Sequence, residues 1–245
     1  MIKFFRKIRE RLLTENKFRK YVAYAIGEII LVVIGILIAL QINNWNEERL
    51  ALNQEKVVIQ NLNTEFRENL RDLDSVNDIL LHTIGATQKI FNRIQGEPIQ
   101  AYTDIDSLLQ LAIESPSWKP SEFVLNDLQN SGGLSKLNNK KLKLQLFKWS
   151  RFFKELQETM AQLEQTNINL IGFIRENGSL RNIDIQSKAF DYAPSQLKID
   201  NTFLLQNLQF ENYIDDKLYV LIEAKNDYGR AKVLINKILQ ETNLH

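Results

Sequence analysis

Apolar positions along the chain follow two rules. From Tyr21 to Ile42 they are continuous, YVAYAIGEIILVVIGILIALQI, with thirteen Val, Ile or Leu. Beyond that run they recur at steps of three and four in three long segments. The first seam is Leu62, Phe66, Leu70, Leu73, Asn77, Leu80, Ile84, Thr87, Phe91 and Ile94; the second is Leu142, Leu146, Trp149, Phe153, Leu156, Met160, Leu163, Asn167, Leu170 and Ile174. A looser third seam passes through Ile214, Leu218, Leu221, Ala224, Tyr228, Ala231, Ile235 and Ile238. This period places one apolar stripe on each helix, which long helices bury by packing side by side.

The continuous run predicts a helix of a different kind. Its 22 residues, at about 1.5 Å each, reach roughly 33 Å, enough to cross a hydrocarbon core of about 30 Å. Each Val, Ile or Leu favours insertion by about 0.3 to 0.6 kcal/mol, which outweighs a penalty of about 3 kcal/mol for Glu28 even at mid-bilayer. Tyr21, Tyr24 and Trp45 stand where headgroup-level aromatics are expected. The run exits through Leu40-Gln41-Ile42-Asn43-Asn44 without a small-x-small cleavage site, so it reads as an uncleaved anchor.

Gly and Pro divide the remainder. They gather at Gly96-Glu97-Pro98, Pro116 to Pro120, Gly132-Gly133, Gly178 and Pro194, leaving long helices expected at about 45–95, 138–176 and 203–241. Two shorter helices are expected at 105–113 and 121–130, the latter stopped by the glycine pair. The reading is an all-α chain: a basic leader (1–20), a transmembrane helix (21–42), and an elongated antiparallel helical bundle with coiled-coil-like helices (43–245). With neither Gly nor Pro in Asn43–Leu52, the membrane helix is expected to continue as a stalk resistant to proteolysis at Asn43–Arg49.

Charge adds direction. Residues 1–20 carry eight Lys or Arg against two Glu, although the whole chain has a formal charge of only +1. The amino terminus is therefore expected in the cytoplasm and the bundle outside it. Ile2, Phe5, Ile8 and Leu12 give the leader an apolar stripe suited to lying on anionic lipid, an alternative to a purely topological role for its charges. The acidic remainder carries no nucleic-acid footprint.

The block YAIGEIILVVIGILIALQINNWNE (Tyr24–Glu47) resembles the opening signature of a family of uncharacterised single-pass inner-membrane proteins of Gram-negative bacteria. NDLQNSGGLSKLNNKKLKLQL (Asn126–Leu146) is similar to that family's second landmark. The resemblance implies an inner-membrane anchor and a helical extracytoplasmic domain, and it brings no activity, cofactor or site residue with it.

Candidate chemistry is sparse. The chain has no Cys, which excludes disulfides, thiolate nucleophiles and zinc–sulfur sites. Its two histidines, His82 and His245, lack a partner at ligand spacing. No phosphate-binding glycine string occurs, and Glu155 with Glu158 reads as a solvated acidic face. No cofactor, no metal and no enzymatic activity are expected. Asn77 and Asn167 interrupt their seams and are candidates to pair and fix helix register, with solvent exposure as the alternative. Trp118, between Pro116 and Pro120, is a candidate partner contact, with burial against the bundle as the alternative. In the membrane helix, Ala23, Gly27, Gly35 and Ala39 form a small-residue ridge beside Glu28, a candidate surface for helix packing and self-association. The expected partners are the lipid bilayer, a second copy through the transmembrane helix, and a protein bound by the bundle. These features point to a membrane-anchored interaction or scaffolding protein, the alternative being an extracytoplasmic ligand-sensing domain that signals through a partner.

Overall fold

The computed structural model describes residues 18–96, 104–187, 189, 191–197 and 199–243; of Phe18, Lys20 and Tyr21 only the backbone is described. The basic leader and its expected interfacial helix thus lie outside the described residues. Helices dominate and no strand occurs among them. The chain divides into two compact units, Met1–Val57 and Val58–His245.

Helix α1 (Phe18–Ile94) begins in the first unit and runs without interruption through Asn43 and Asn44. Local side-chain pairs support it there: Asn43 Nδ2 donates to Glu47 Oε1 at 2.8 Å, and Arg49 donates to Asn46 Oδ1 at 3.1 Å. Both span one helical turn, the spacing at which side chains on a helix meet. Ile26 to Leu40 is an almost unbroken series of exposed apolar side chains, the opposite of what a globular core helix presents.

The second unit is a bundle of four legs. The first is α1 from Val58 onward. The second is broken into α2 (Ile105–Ala112), the Pro116–Pro120 loop, α3 (Phe123–Asn130) and α4 (Gly133–Lys136). The third is α5 (Lys140–Asn177) and the fourth α7 (Leu208–Thr242). Between α5 and α7 lie α6 (Leu180–Asp184) and two 3-10 turns, Ile185–Ser187 and Asn201–Gln206. The expected helix at 203–241 starts five residues later, because a 3-10 turn occupies Asn201–Gln206 and Asn207 caps the helix, accepting from Gln209 N–H and Phe210 N–H at 2.8 and 3.1 Å.

Contacts along the legs fix their directions. Asn139, which caps α5, meets Glu241 at the end of α7, while Phe173 near the end of α5 packs on Phe210 and Tyr213 at the start of α7. Those two helices are antiparallel. The α1 leg pairs with α7 the same way, Asn63 with Thr242 at 2.8 Å and Asp74 with Lys232 at 2.7 Å. It consequently runs parallel to α5, and the broken second leg returns the chain between them. Breaking that leg follows from sequence: proline cannot continue a helix, and Gly132 adopts φ +70, the left-handed geometry that ends α3.

The core is two clusters. One is built around Leu62, Phe66, Trp149, Leu163, Leu221 and Tyr228. The other is built around Ile90, Leu109, Leu170, Phe173, Phe210 and Ile214. Most seam positions fall in these clusters or pack against them. Trp118 is the centre of an aromatic group in the first, edge-on to Trp149 at 6.2 Å and to Tyr228 at 5.9 Å. It is 2% exposed. Trp118 is therefore a core plug, the burial alternative rather than the candidate partner contact: it lies between its two prolines with the ring inward, where Trp149 and Tyr228 stand edge-on to it.

Tyr228 holds this turn by its backbone. Its hydroxyl accepts from Trp118 N–H at 2.8 Å and donates to Pro116 O at 2.5 Å. Tyr228→Phe is expected to cost about 1–3 kcal/mol by leaving two buried backbone groups unpaired. Urea titration of the detergent-solubilised chain measures this, and an unchanged midpoint would show the bridge to be dispensable.

Candidate functional site

Between the two apolar clusters each leg is polar. On α1 the gap between Leu80 and Ala86 holds buried Thr83; on α5 the gap between Leu163 and Leu170 holds Thr166 and Asn167. The second leg contributes Glu114, after α2. On α7, between Ile214 and Val220, stands Lys217, wholly buried.

Lys217 Nζ donates to the Glu114 backbone carbonyl at 3.1 Å and makes a short bond to Asn167 Oδ1. Burial pushes its ammonium down to about 7, a fall that the negative charge of Glu114 opposes. Around neutral pH both the amine and the ammonium are therefore populated. The amine is a base and a nucleophile in principle, yet its complete burial keeps it from solvent-borne reactants in this conformation. Its evident work is structural: a polar group at a core position admits only the alignment that supplies its acceptors, here one helix end and one Asn. This also settles the role of Asn167. Among the described residues no hydrogen bond joins it to Asn77; Lys217 is its partner.

A second polar cluster lies where α3 meets α1. Glu65 Oε1 accepts from Ser121 Oγ at 2.7 Å and from Val124 N–H at 3.1 Å, and Asn69 exchanges two hydrogen bonds with the Ser121 backbone at 2.7 and 2.8 Å. Glu65 thereby caps α3 from across the fold, because the residue at the local cap position, Glu122, makes no capping bond. Glu122 instead accepts from Trp149 Nε1 at 3.0 Å. Burial, reinforced by the charge of Glu65, lifts Glu122 to about 7 against the pull of the indole bond.

The surface carries open clefts. One of about 620 Å³ lies between α5 and α7, with Phe152, Val233 and Leu234 as its apolar lining and Lys148, Arg151 and Arg230 as cations. Arg230 lies over Phe152 at 4.9 Å and bonds Glu155 at 2.7 Å, which holds the Glu155 carboxyl below its usual range. Glu155 is thus an ion-pair partner here, and Glu158 is exposed. A smaller cleft of about 390 Å³ is bordered by Trp118, Lys119, Phe153 and Met160. No group of three or more His, Asp or Glu among the described residues is placed to hold a metal.

The remaining residues singled out from sequence lie apart from these sites. Ala23, Gly27, Gly35 and Ala39 are exposed on α1, and a Cβ at Gly27 or Gly35 would meet nothing within 4 Å. Glu28 and Tyr24 are half-buried, and the Tyr21 side chain is outside the described residues. Trp45 is exposed with the Arg49 guanidinium 5.6 Å from its ring. His82 is exposed. Sequence reasoning missed Lys217 and Glu65. A signal existed for the first: the spacing 210, 214, 217, 221, 224, 228 is as regular as any on the chain, and choosing Leu218 over Lys217 hid it.

Lys217 makes stability depend on pH in one direction. An unfolded lysine keeps its proton to about pH 10.5, whereas the folded one releases it above about 7, so the unfolded chain binds more protons in that window. Folding stability should rise with pH from about 7 to 10, and Lys217→Met should abolish that component, which is on the order of a few kcal/mol. Urea midpoints of both chains across this range test it; parallel profiles would rule it out.

A family of unknown function (DUF6090) matches residues 28–115, little more than a third of the chain. The match takes in most of the membrane-type segment, the first leg, α2 and Glu114, and stops short of Glu122 and Lys217. Neither the curated proteins nor the solved structures provide a match.

Proposed function

We propose that this chain is a single-pass inner-membrane protein of a Gram-negative bacterium that uses a periplasmic helical bundle to bind other proteins, without catalysing a reaction. The observation that carries the reading is the membrane-type segment of α1: its most apolar 18-residue window has a mean hydropathy of 2.6 and none of it is buried. A soluble chain exposing so much contiguous apolar surface would aggregate, whereas lipid covers it. The cationic leader favours an N-terminus in the cytoplasm.

Binding of protein is favoured over ligand sensing by the form of the bundle. Its interior is filled by two apolar clusters and a polar layer in which Lys217 bonds Asn167 and the Glu114 carbonyl, and the α5/α7 cleft is an open furrow with exposed Val233 beside it. Furrows with an apolar floor and charged walls suit a protein surface better than an enclosed small molecule. Self-association through Ala23, Gly27, Gly35 and Ala39 belongs to the same reading, since small residues let helices approach closely in lipid.

Two measurements test it. Because the chain has no Cys, single substitutions report without background: Lys225→Cys should react with an impermeant maleimide in right-side-out vesicles and Lys3→Cys only after permeabilisation. The reverse pattern would invert the topology. In a membrane association assay, Gly35→Leu should weaken self-association of the full chain by about tenfold, a difference of about 1.4 kcal/mol; an unchanged dimer fraction would dismiss the ridge.

A further inference from the structure

Helix α7 carries two seams, and the bundle uses one. The inner seam, from Phe210 through Tyr228 to Ile238, lies in the two core clusters. The outer seam is Tyr219, Ile222, Asn226, Gly229, Val233 and Asn236, alternating steps of three and four, and every one of these residues is exposed. Tyr219 is 65% exposed and Val233 53%. Such steps gather side chains into one stripe along about 26 Å of helix, which is how a helix meets a second helix. The outward half of a bundle helix that met only water would be polar throughout.

The middle of the stripe is also concave. Asn226, Gly229 and Val233 line the cleft of about 620 Å³ between α5 and α7, with Phe152 and Leu234 beside them. A Cβ at Gly229 would meet nothing within 4 Å, so packing inside the bundle does not call for a glycine there. The absent side chain leaves room for a helix to settle between α5 and α7.

Charge gives the occupant its sign. The acids beside the seam are taken: Glu155 and Asp227 both bond Arg230, at 2.7 and 3.0 Å, and the Tyr219 hydroxyl bonds Glu223. Glu155 also pairs with Arg151 at 3.6 Å, and Glu158, one turn beyond it, is exposed outside the cleft lining. Lys232 faces away, to Asp74 on α1. Lys148 borders the cleft on α5, and Lys225 and Lys237 flank the seam on α7; all three are exposed and have no ion-pair partner among the described residues. Between Tyr219 and Asn236 the uncompensated charge is therefore positive.

We propose, resting on the protein-binding reading above, that this seam is the docking surface for an acidic amphipathic helix of another protein. Its apolar edge sets against Ile222, Gly229 and Val233, and its carboxylates against Lys148, Lys225 and Lys237. A second copy of α7 would bring the same lysines face to face and be repelled. An anionic lipid surface would satisfy the lysines, yet it is flat and would leave the concave middle of the seam unfilled.

A synthetic peptide of about three heptads, with Leu at its seam positions and Glu on both flanks, tests this against the full chain in nonionic detergent micelles, read by fluorescence anisotropy. It should bind, and its twin with Lys in place of Glu should not. Gly229→Gln fills the gap and replaces a mid-helix glycine with a better helix former, so the urea midpoint should hold or rise while peptide affinity falls about tenfold or more. Lys148→Glu together with Lys225→Glu should turn the preference toward the Lys twin.

Failure of the Glu peptide to bind, equal binding of the twin, or an affinity unmoved by Gly229→Gln overturns the docking surface. So does displacement of the peptide by phosphatidylglycerol added to the micelles, which would give the seam to lipid. A dimer lost in Gly229→Gln but kept in Gly35→Leu would give it to a second copy and overturn it likewise. Cross-linking in intact cells separates the seam from the wider reading. If Gly229→Gln is joined to another protein as efficiently as the wild type, protein binding stands and the seam falls; if the wild type is joined only to itself, protein binding falls.

Discussion

A leg of a helical bundle that is not a continuous helix must find partners for its backbone groups outside itself. The segment from Glu114 to Ser121 has that problem, since Pro116 and Pro120 forbid the regular ladder that would have satisfied it. The other legs solve it with side chains. Tyr228 from α7 bridges Pro116 and Trp118, Asn69 from α1 mimics a backbone pair at Ser121, Glu65 caps α3, and Lys217 takes the Glu114 carbonyl. Four side chains of the other legs, Tyr228, Asn69, Glu65 and Lys217, are thus turned inward by that interruption. The packing of the three continuous legs would be generic without it; the broken leg is what demands specific residues at specific heights.

Burial explains why Lys217, which serves a backbone carbonyl, and Glu122, which holds the Trp149 indole, have unusual proton affinities. A side chain that reaches inward to serve a backbone group leaves water behind, and desolvation moves an acid up and a base down. Glu122 and Lys217 are displaced from opposite ends of the scale toward the same neutral region. Neither displacement needs an active site. Perturbed titration in a cleft suggests catalysis, but here Lys217 is sealed in the core, and the simpler cause is structural service to the second leg.

Much of the architecture was legible in the chain itself. Periodicity located α1, α5 and α7, and the glycine and proline punctuation located α2 and α3 to within two residues. The apolar run announced itself by length. What periodicity could not convey was direction and depth: a seam says which face is buried, not which helix covers it, so the parallel course of α1 and α5 became visible only through pairs such as Phe66 with Trp149. Polar residues in a seam were equally ambiguous. Asn77 and Asn167 look alike in sequence, yet only Asn167 has Lys217 opposite it. Glu65 sat among surface-type carboxylates on α1, and nothing local distinguishes a glutamate that caps a distant helix from one that faces water. Trp118 showed the converse, a loop aromatic that geometry turns inward.

The pairing of Asn63 with Thr242, and of Arg67 with Asn243, joins the start of the bundle to its last turn. In a chain made from the amino end, the first leg is synthesised long before its companion exists, and its apolar stripe waits through some 180 residues of elongation. Closure is therefore a late event that waits for α7 to be made. A polypeptide cut short before α7 would keep the contacts of α1 with α5 and the second leg but leave the α7-facing part of the core open to water, so α7 is the helix that closes the bundle.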